Sequence, residues 1–169
     1  MKREPHRRQV ARTVLMVGEG DAEVLFLQHL KGLYVQRGSG VVVTIKNARG
    51  KGAAHVVDFA LRQSRNAAFD AVLVLCDGDA AWSDRVAAAA RKGRIEVLIC
   101  EPCLEALLLE AFGHRAEGLT SAQLKHRFEG IFGRPAHDAH YLIGADAAFF
   151  ERTRQKVPSI AVLLKMLAS

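Results

Sequence analysis

The chain has 169 residues, enough for one ordinary domain with a single core and too few for two. Half of the residues are apolar and a quarter are charged, and no apolar run approaches the ~20 residues a membrane span needs, so a globular protein without a membrane partner is expected. Lys and Arg outnumber Asp and Glu by 24 to 18, for a net charge of +6, and five of the basic residues fall within the first 12 positions. A flexible basic arm of this kind (residues 1–12) either contacts phosphate backbones, DNA or RNA, or lies solvated. No apolar stretch long enough for a signal peptide follows it. The three cysteines make an odd count, with Cys76 and Cys100 each ending an apolar run. Reduced thiols and a cytoplasmic location are the expectation.

In chain order, Thr13–Val17 is a short continuous apolar run followed by Gly18 and Gly20, as a strand buried on both faces of a parallel sheet reads. Asp21–Leu33 places Val24, Leu25, Leu27, Leu30 and Leu33 near a 3.6-residue period, an amphipathic helix with acids in its first turn. Gly38-Ser39-Gly40 is a turn and Val41–Ile45 a second strand. Gly50-Lys51-Gly52 precedes a helical pattern through Val56, Val57, Ala60 and Leu61. Ala71–Leu75 is a third buried strand that ends at Cys76-Asp77-Gly78-Asp79, and Ala80–Arg91 is alanine-rich and helical. Ile95–Ile99 is a fourth strand, stopped by Glu101-Pro102. Leu104–Phe112 reads as a helix capped by Gly113. The rest is less regular: Ser121–Phe128 is helical, Gly130–Gly144 is loop-like with two histidines, and Pro158–Leu167 is an apolar helix. Such alternation implies an α/β fold, a four-stranded parallel sheet flanked by helices, with a core over residues 13–113 and a helical extension over 114–169.

Open parallel sheets bind ligands at the carboxyl ends of their strands. Glu19 follows the first strand, with Glu23 one helical turn further on the same face. Asp77 and Asp79 follow the third strand, and Glu101 and Glu105 the fourth. Three strand ends thus bring six carboxylates to one sheet edge. Left alone, such a cluster repels itself and raises pKa values, whereas Mg2+ or Mn2+ prefers these oxygen ligands. Two ions about 4 Å apart could clamp the attacking and leaving oxygens of a phosphodiester. The bland alternative is that Glu19, Asp21 and Glu23 cap a helix while Asp77 and Asp79 form a solvated turn.

The same residues carry a family resemblance. Glu19-Gly20-Asp21-Ala22-Glu23 behind an apolar strand resembles the EGxxE box of the Toprim domain, and Asp77-Gly78-Asp79 resembles its DxD. Glu101-Pro102-Cys103-Leu104-Glu105-Ala106-Leu107-Leu108-Leu109 is similar to the NPCFExWLLLHF stretch of RloB-like Toprim proteins, relatives of the OLD-family nucleases. The resemblance covers roughly residues 13–113. It implies a Rossmann-like Toprim fold and a Mg2+- or Mn2+-dependent nuclease acting on nucleic acid, in phage defence. Glu19 would be a metal ligand or general acid/base, Glu23, Asp77 and Asp79 metal ligands, and Glu105 would complete the set. Lys51, Lys125, Lys156 and Lys165 are candidates for the cation on the scissile phosphate. Lys156 is favoured because OLD-type relatives use a lysine well downstream of the acids. Ala22, Glu101, Ala80 and the Ala106-Leu107 pair depart from the family pattern, which bears on substrate detail rather than on metal binding. A non-catalytic binding or assembly module, and phosphoryl or nucleotidyl transfer on a small nucleotide, are the alternatives.

Other motifs fit less well. Cys100-Glu101-Pro102-Cys103 has the form of a thioredoxin-like CxxC, but after the fourth strand. Gly18-Glu19-Gly20 lacks the third glycine of a dinucleotide fingerprint, and Gly50-Lys51 lacks the rest of a P-loop. Haloacid-dehalogenase phosphatases carry their DxD after the first strand. A receiver domain, with acids after strand one and an aspartate after strand three, is a closer analogue. His137-Asp138-Ala139-His140 is a weak metal motif, and Trp82, Phe149-Phe150 and Leu163-Leu164 read as packing residues.

Overall fold

The computed structural model describes residues 12–78 and 81–168. Four strands, β1 (Arg12–Gly18), β2 (Val41–Asn47), β3 (Ala71–Asp77) and β4 (Ile95–Cys100), form one all-parallel sheet in the order β2-β1-β3-β4. The register pairs Gly18 with Asn47 on one side and with Leu75 on the other, and Asp77 with Cys100, so the carboxyl ends of β1, β3 and β4 lie level. The expected α/β architecture is therefore present, with a Rossmann-like sheet flanked by helices.

Each strand alternates its side chains between two cores, as a doubly covered sheet must. Val14, Met16, Leu73, Leu75 and Cys100 face one cluster with Phe26, Leu27 and Leu30 of α1 (Asp21–Tyr34). Leu15, Val17, Val72, Val74, Cys76 and Ile95 face the other, covered by α2 (Ala53–Asn66) and α3 (Asp84–Lys92). The chain moves outward from β1 to β2, then returns past β1 to β3 and β4, and its crossover helices change face with that reversal, as right-handed connections demand. The crevice between β1 and β3 is thus a topological switch point, the place where α/β sheets bind ligands.

The first core also takes up the C-terminal third. It includes α4 (Leu104–Ala111), Leu124 and Phe128 of α5 (Ser121–Phe132), Phe150 of α6 (Ala147–Thr153), and Ile160, Leu163, Leu164 and Leu167 of α7 (Pro158–Leu167). His29 Nε2–H donates to the Ala145 carbonyl at 2.7 Å and the Tyr34 hydroxyl to the Ala147 carbonyl at 3.1 Å, which fasten the segment before α6 to α1. Phe150 and Leu163-Leu164 are core residues, as their sequence suggests. Cys76, Cys100 and Cys103 are free thiols, all buried. Among the described residues no helix is long and apolar enough to cross a membrane.

Several boundaries differ from the sequence expectation. Arg12 belongs to β1 rather than to the arm, because its strand pairing with Val41 continues the ladder and its guanidinium reaches the Ala168 carbonyl at 2.7 Å. The rest of the arm lies outside the described residues. The helix expected from Ala80 begins at Asp84, where Ser83 accepts from the Val86 N–H and so sets the first turn. Within Gly130–Gly144 a 3-10 turn, Ala139–Leu142, forms behind Asp138, and α5 runs on to Phe132 before Gly133 closes it at positive φ. Trp82 is half-buried against the second core.

Candidate metal centre

The switch-point crevice is fastened by its own carboxylates. Glu19 directly follows β1, and its N–H donates to Leu75 O across the sheet at 3.0 Å. Its Oε2 accepts from the Asp77 N–H at 3.0 Å. Asp77 closes β3, and its Oδ1 accepts from Leu104 N–H at 2.8 Å, the first turn of α4. That helix begins at Cys103, whose own side chain makes no cap, so Asp77 supplies the cap from another strand. Glu23 reaches back one turn of α1 to the Gly20 N–H at 2.9 Å, half of a capping box. Each of these carboxylates thus has one oxygen on a backbone N–H, and together they join the ends of β1 and β3 to the starts of α1 and α4.

Two glycines allow the close approach. A Cβ on Gly18 would stand 2.9 Å from Glu23 Cβ and from the Val24 backbone nitrogen. A Cβ on Gly78 would run into the Glu101 carboxylate, which lies across the turn. The Gly78 N–H is held by Cys100 O and Pro102 O at 2.8 and 3.0 Å, and the Glu101–Pro102 peptide is cis.

Glu23 and Glu105 are buried, at 6% and 8% exposure, with no cation among their described ion-pair partners. The electrostatic consequence is direct. Burial, then the charges of Glu23, Glu105 and Glu19, push Asp77 up to about 7, against the downward pull of the Leu104 N–H. Burial also raises Glu23, with Glu19 and Glu105 adding to the shift and the backbone bonds opposing it. Burial and the neighbouring acids hold Cys76 up at about 12 and Cys103 at about 11, so these thiols stay protonated and unreactive beneath the site.

Above the acids opens a cleft of about 520 Å³. One wall is Glu19, Asp21, Glu23, Asp77 and Glu105, and the other is Lys125 and Glu129 of α5 with Ala136 and His137 of the following loop. The structure therefore brings together four of the five expected ligands, while the fifth, Asp79, lies outside the described residues. Glu101 sits at the rim, over Gly78. Lys156 is elsewhere, exposed in a separate cleft with Glu110 and Arg152, whereas Lys125 lines the same cleft as the acids. Lys51 occupies the turn after β2 at positive φ, and the adjacent Gly50 N–H donates to Glu19 O at 2.7 Å. Asp138 is bound to Arg134 and to the His140 N–H in a capped turn, while His137 of the same stretch lines the cleft.

The second wall is the part that sequence reasoning did not assemble. Its one legible signal is the pair Lys125 and Glu129, four residues apart and each one position beyond the buried Leu124 and Phe128.

Among the described residues no group of three His, Cys, Asp or Glu side chains is gathered as a ready-made metal cage. The donor set itself fits a hard cation: it is all carboxylate oxygen, lies at a strand-end crevice, and places two buried acids and one with a raised pKa around one opening. The chain matches no family model, no curated protein and no solved structure with which it was compared.

Proposed function

We propose that this protein is a Mg2+- or Mn2+-dependent phosphodiesterase acting on nucleic acid, a nuclease of the Toprim kind. The observation that carries the reading is the convergence of Glu19, Glu23, Asp77 and Glu105 on one cleft at the switch point, with Asp77 pushed up to about 7 by burial and its acidic neighbours. Such an arrangement is unfavourable alone and is relieved by a divalent ion.

Glu19, Glu23, Asp77 and Glu105, with Asp79, would hold the ion. When bound, it would activate water and neutralise charge on the phosphoryl oxygens. Asp77 then works as a carboxylate, its proton lost to solvent. On this reading Glu19, whose Oε2 accepts from the Asp77 N–H, would serve as an ion ligand or as the base that takes a proton from the attacking water. Lys125, across the cleft, contributes positive charge opposite the acids and suits a non-bridging phosphate oxygen. The mostly polar lining of the cleft suits a charged ligand such as a phosphodiester better than an apolar cofactor. The basic N-terminal arm adds affinity for the nucleic-acid backbone on this reading. A role in phage defence rests on the RloB-like resemblance alone.

The test is calorimetric titration with Mn2+, followed by cleavage assays on end-labelled single- and double-stranded DNA and RNA. Wild-type protein is expected to bind Mn2+ and to cut at least one substrate, and Glu23→Gln and Asp77→Asn to lose both. Cleavage that survives in the Asp77→Asn, Asp79→Asn double variant would falsify the proposal. Absence of Mn2+ binding at millimolar levels would leave a non-catalytic binding module in its place.

A further inference from the structure

Tyr141 is out of keeping with its surroundings. Its ring is a core residue at 4% exposure, packed edge-on against Phe112, Phe128 and Phe132 at centroid distances of 6.1, 5.1 and 6.0 Å. Phenylalanine would fill that aromatic cluster equally well. The hydroxyl is fully buried and, alone among the buried side-chain polar atoms described, has no hydrogen-bond partner. An orphaned buried hydroxyl is destabilising, so it marks a place where a partner is expected in another state.

The position of the residue identifies that partner. The 3-10 turn carrying Tyr141 packs on α1, the helix of Glu23, and the two backbone attachments from His29 and Tyr34 to Ala145 and Ala147 fix the adjoining chain there. Glu23 and Glu105 are the two acids whose charges the hydroxyl feels, and both are buried. The ring also rests on Phe112 at the end of α4, the helix of Glu105, so Tyr141 packs on both elements that carry these buried acids.

We propose that Tyr141 is a positioning residue for the metal centre, its hydroxyl donating to the Glu23–Glu105 carboxylate pair once a divalent ion draws those carboxylates into coordination. The inference rests on the metal reading above. Carboxylates that ligate a metal are themselves hydrogen-bonded, and loss of such an outer partner typically costs 10- to 100-fold in metal affinity. The arrangement also explains why the hydroxyl is kept despite its cost in the ion-free protein.

The test is Tyr141→Phe, which keeps the ring and removes only the oxygen, measured by Mn2+ calorimetry and by thermal unfolding in EDTA. The expected result is Mn2+ affinity weakened by 10- to 100-fold with a melting temperature in EDTA equal to or above that of wild type. A purely structural tyrosine would alter melting and leave affinity alone, so affinity within twofold of wild type overturns the inference while the metal reading stands. If wild-type protein binds no Mn2+, both fall. A second measurement needs no variant to fold: in protein labelled at the tyrosine Cζ, Mg2+ is expected to shift the Tyr141 carbon more than that of Tyr34, and an unmoved Tyr141 signal overturns the proposal.

Discussion

Asp77→Asn is expected to make the ion-free protein more stable and unable to bind metal. Asparagine keeps an Oδ1 that can accept from Leu104 N–H, so the cap on α4 survives while the charge is removed. Asp77 rises from an ordinary 3.8 to about 7 on folding. Three units correspond to about 4 kcal/mol at 1.36 kcal/mol each, and the part of the side chain still facing solvent reduces this to about 2 kcal/mol. The sign follows from linkage. A pKa raised by folding favours the native state fully below the unfolded value, and that contribution is lost as pH climbs through about 7. The variant's advantage is therefore small near pH 4 and largest above pH 8. For a chain of this length, about 2 kcal/mol moves the melting temperature by roughly 4–8 °C. The assay is circular-dichroism melting in EDTA between pH 5 and 8.5, repeated with Mn2+. Equal melting temperatures at pH 8.5, or a gap that does not widen with pH, would refute the assignment of a buried, self-repelling carboxylate at this position.

Three further outcomes follow from the same geometry. Mn2+ affinity of the wild type should rise with pH between 6 and 8, because the ion must displace the Asp77 proton, and binding at pH 6 should release protons detectable as a buffer-dependent enthalpy. Gly18→Ala should lower stability by about 1–3 kcal/mol in urea unfolding and weaken Mn2+ binding, since its Cβ would press on Glu23 and on the α1 backbone. On whichever substrate is cleaved, Lys125→Met should slow turnover by ten-fold or more while Lys156→Met stays within twofold, and equal effects of the two would remove Lys125 from the site.

The two central strands were legible because each is apolar on both faces, as Val14–Val17 and Val72–Cys76 are, which is how a strand of a doubly covered parallel sheet reads. Glu19 and Asp77 were legible for the same reason: they end those runs. What could not be read were the particular bonds between distant segments. Nothing near Asp77 announces that it caps α4, since that bond needs β3 and β4 paired first. Helix α6 is only seven residues long and rests on one local cue, Asp146 accepting from the Phe149 N–H. Lys156 was preferred over Lys125 by chain position, whereas membership of the cleft is decided by which face of α5 the buried Leu124 and Phe128 turn inward.

The shared core of the sheet and the C-terminal third has a consequence for the order of synthesis. The acids, from Glu19 to Glu105, leave the ribosome well before Lys125, His137 and Tyr141, and α4 has no cover for its apolar side until α5 and α7 arrive. A nascent chain ending near Gly113 would therefore carry the negative wall of the cleft without its opposing cation or its floor. On the proposed function, a nuclease built this way stays inert beside messenger and ribosomal RNA until α5 and the turn carrying Tyr141 have followed the acids out.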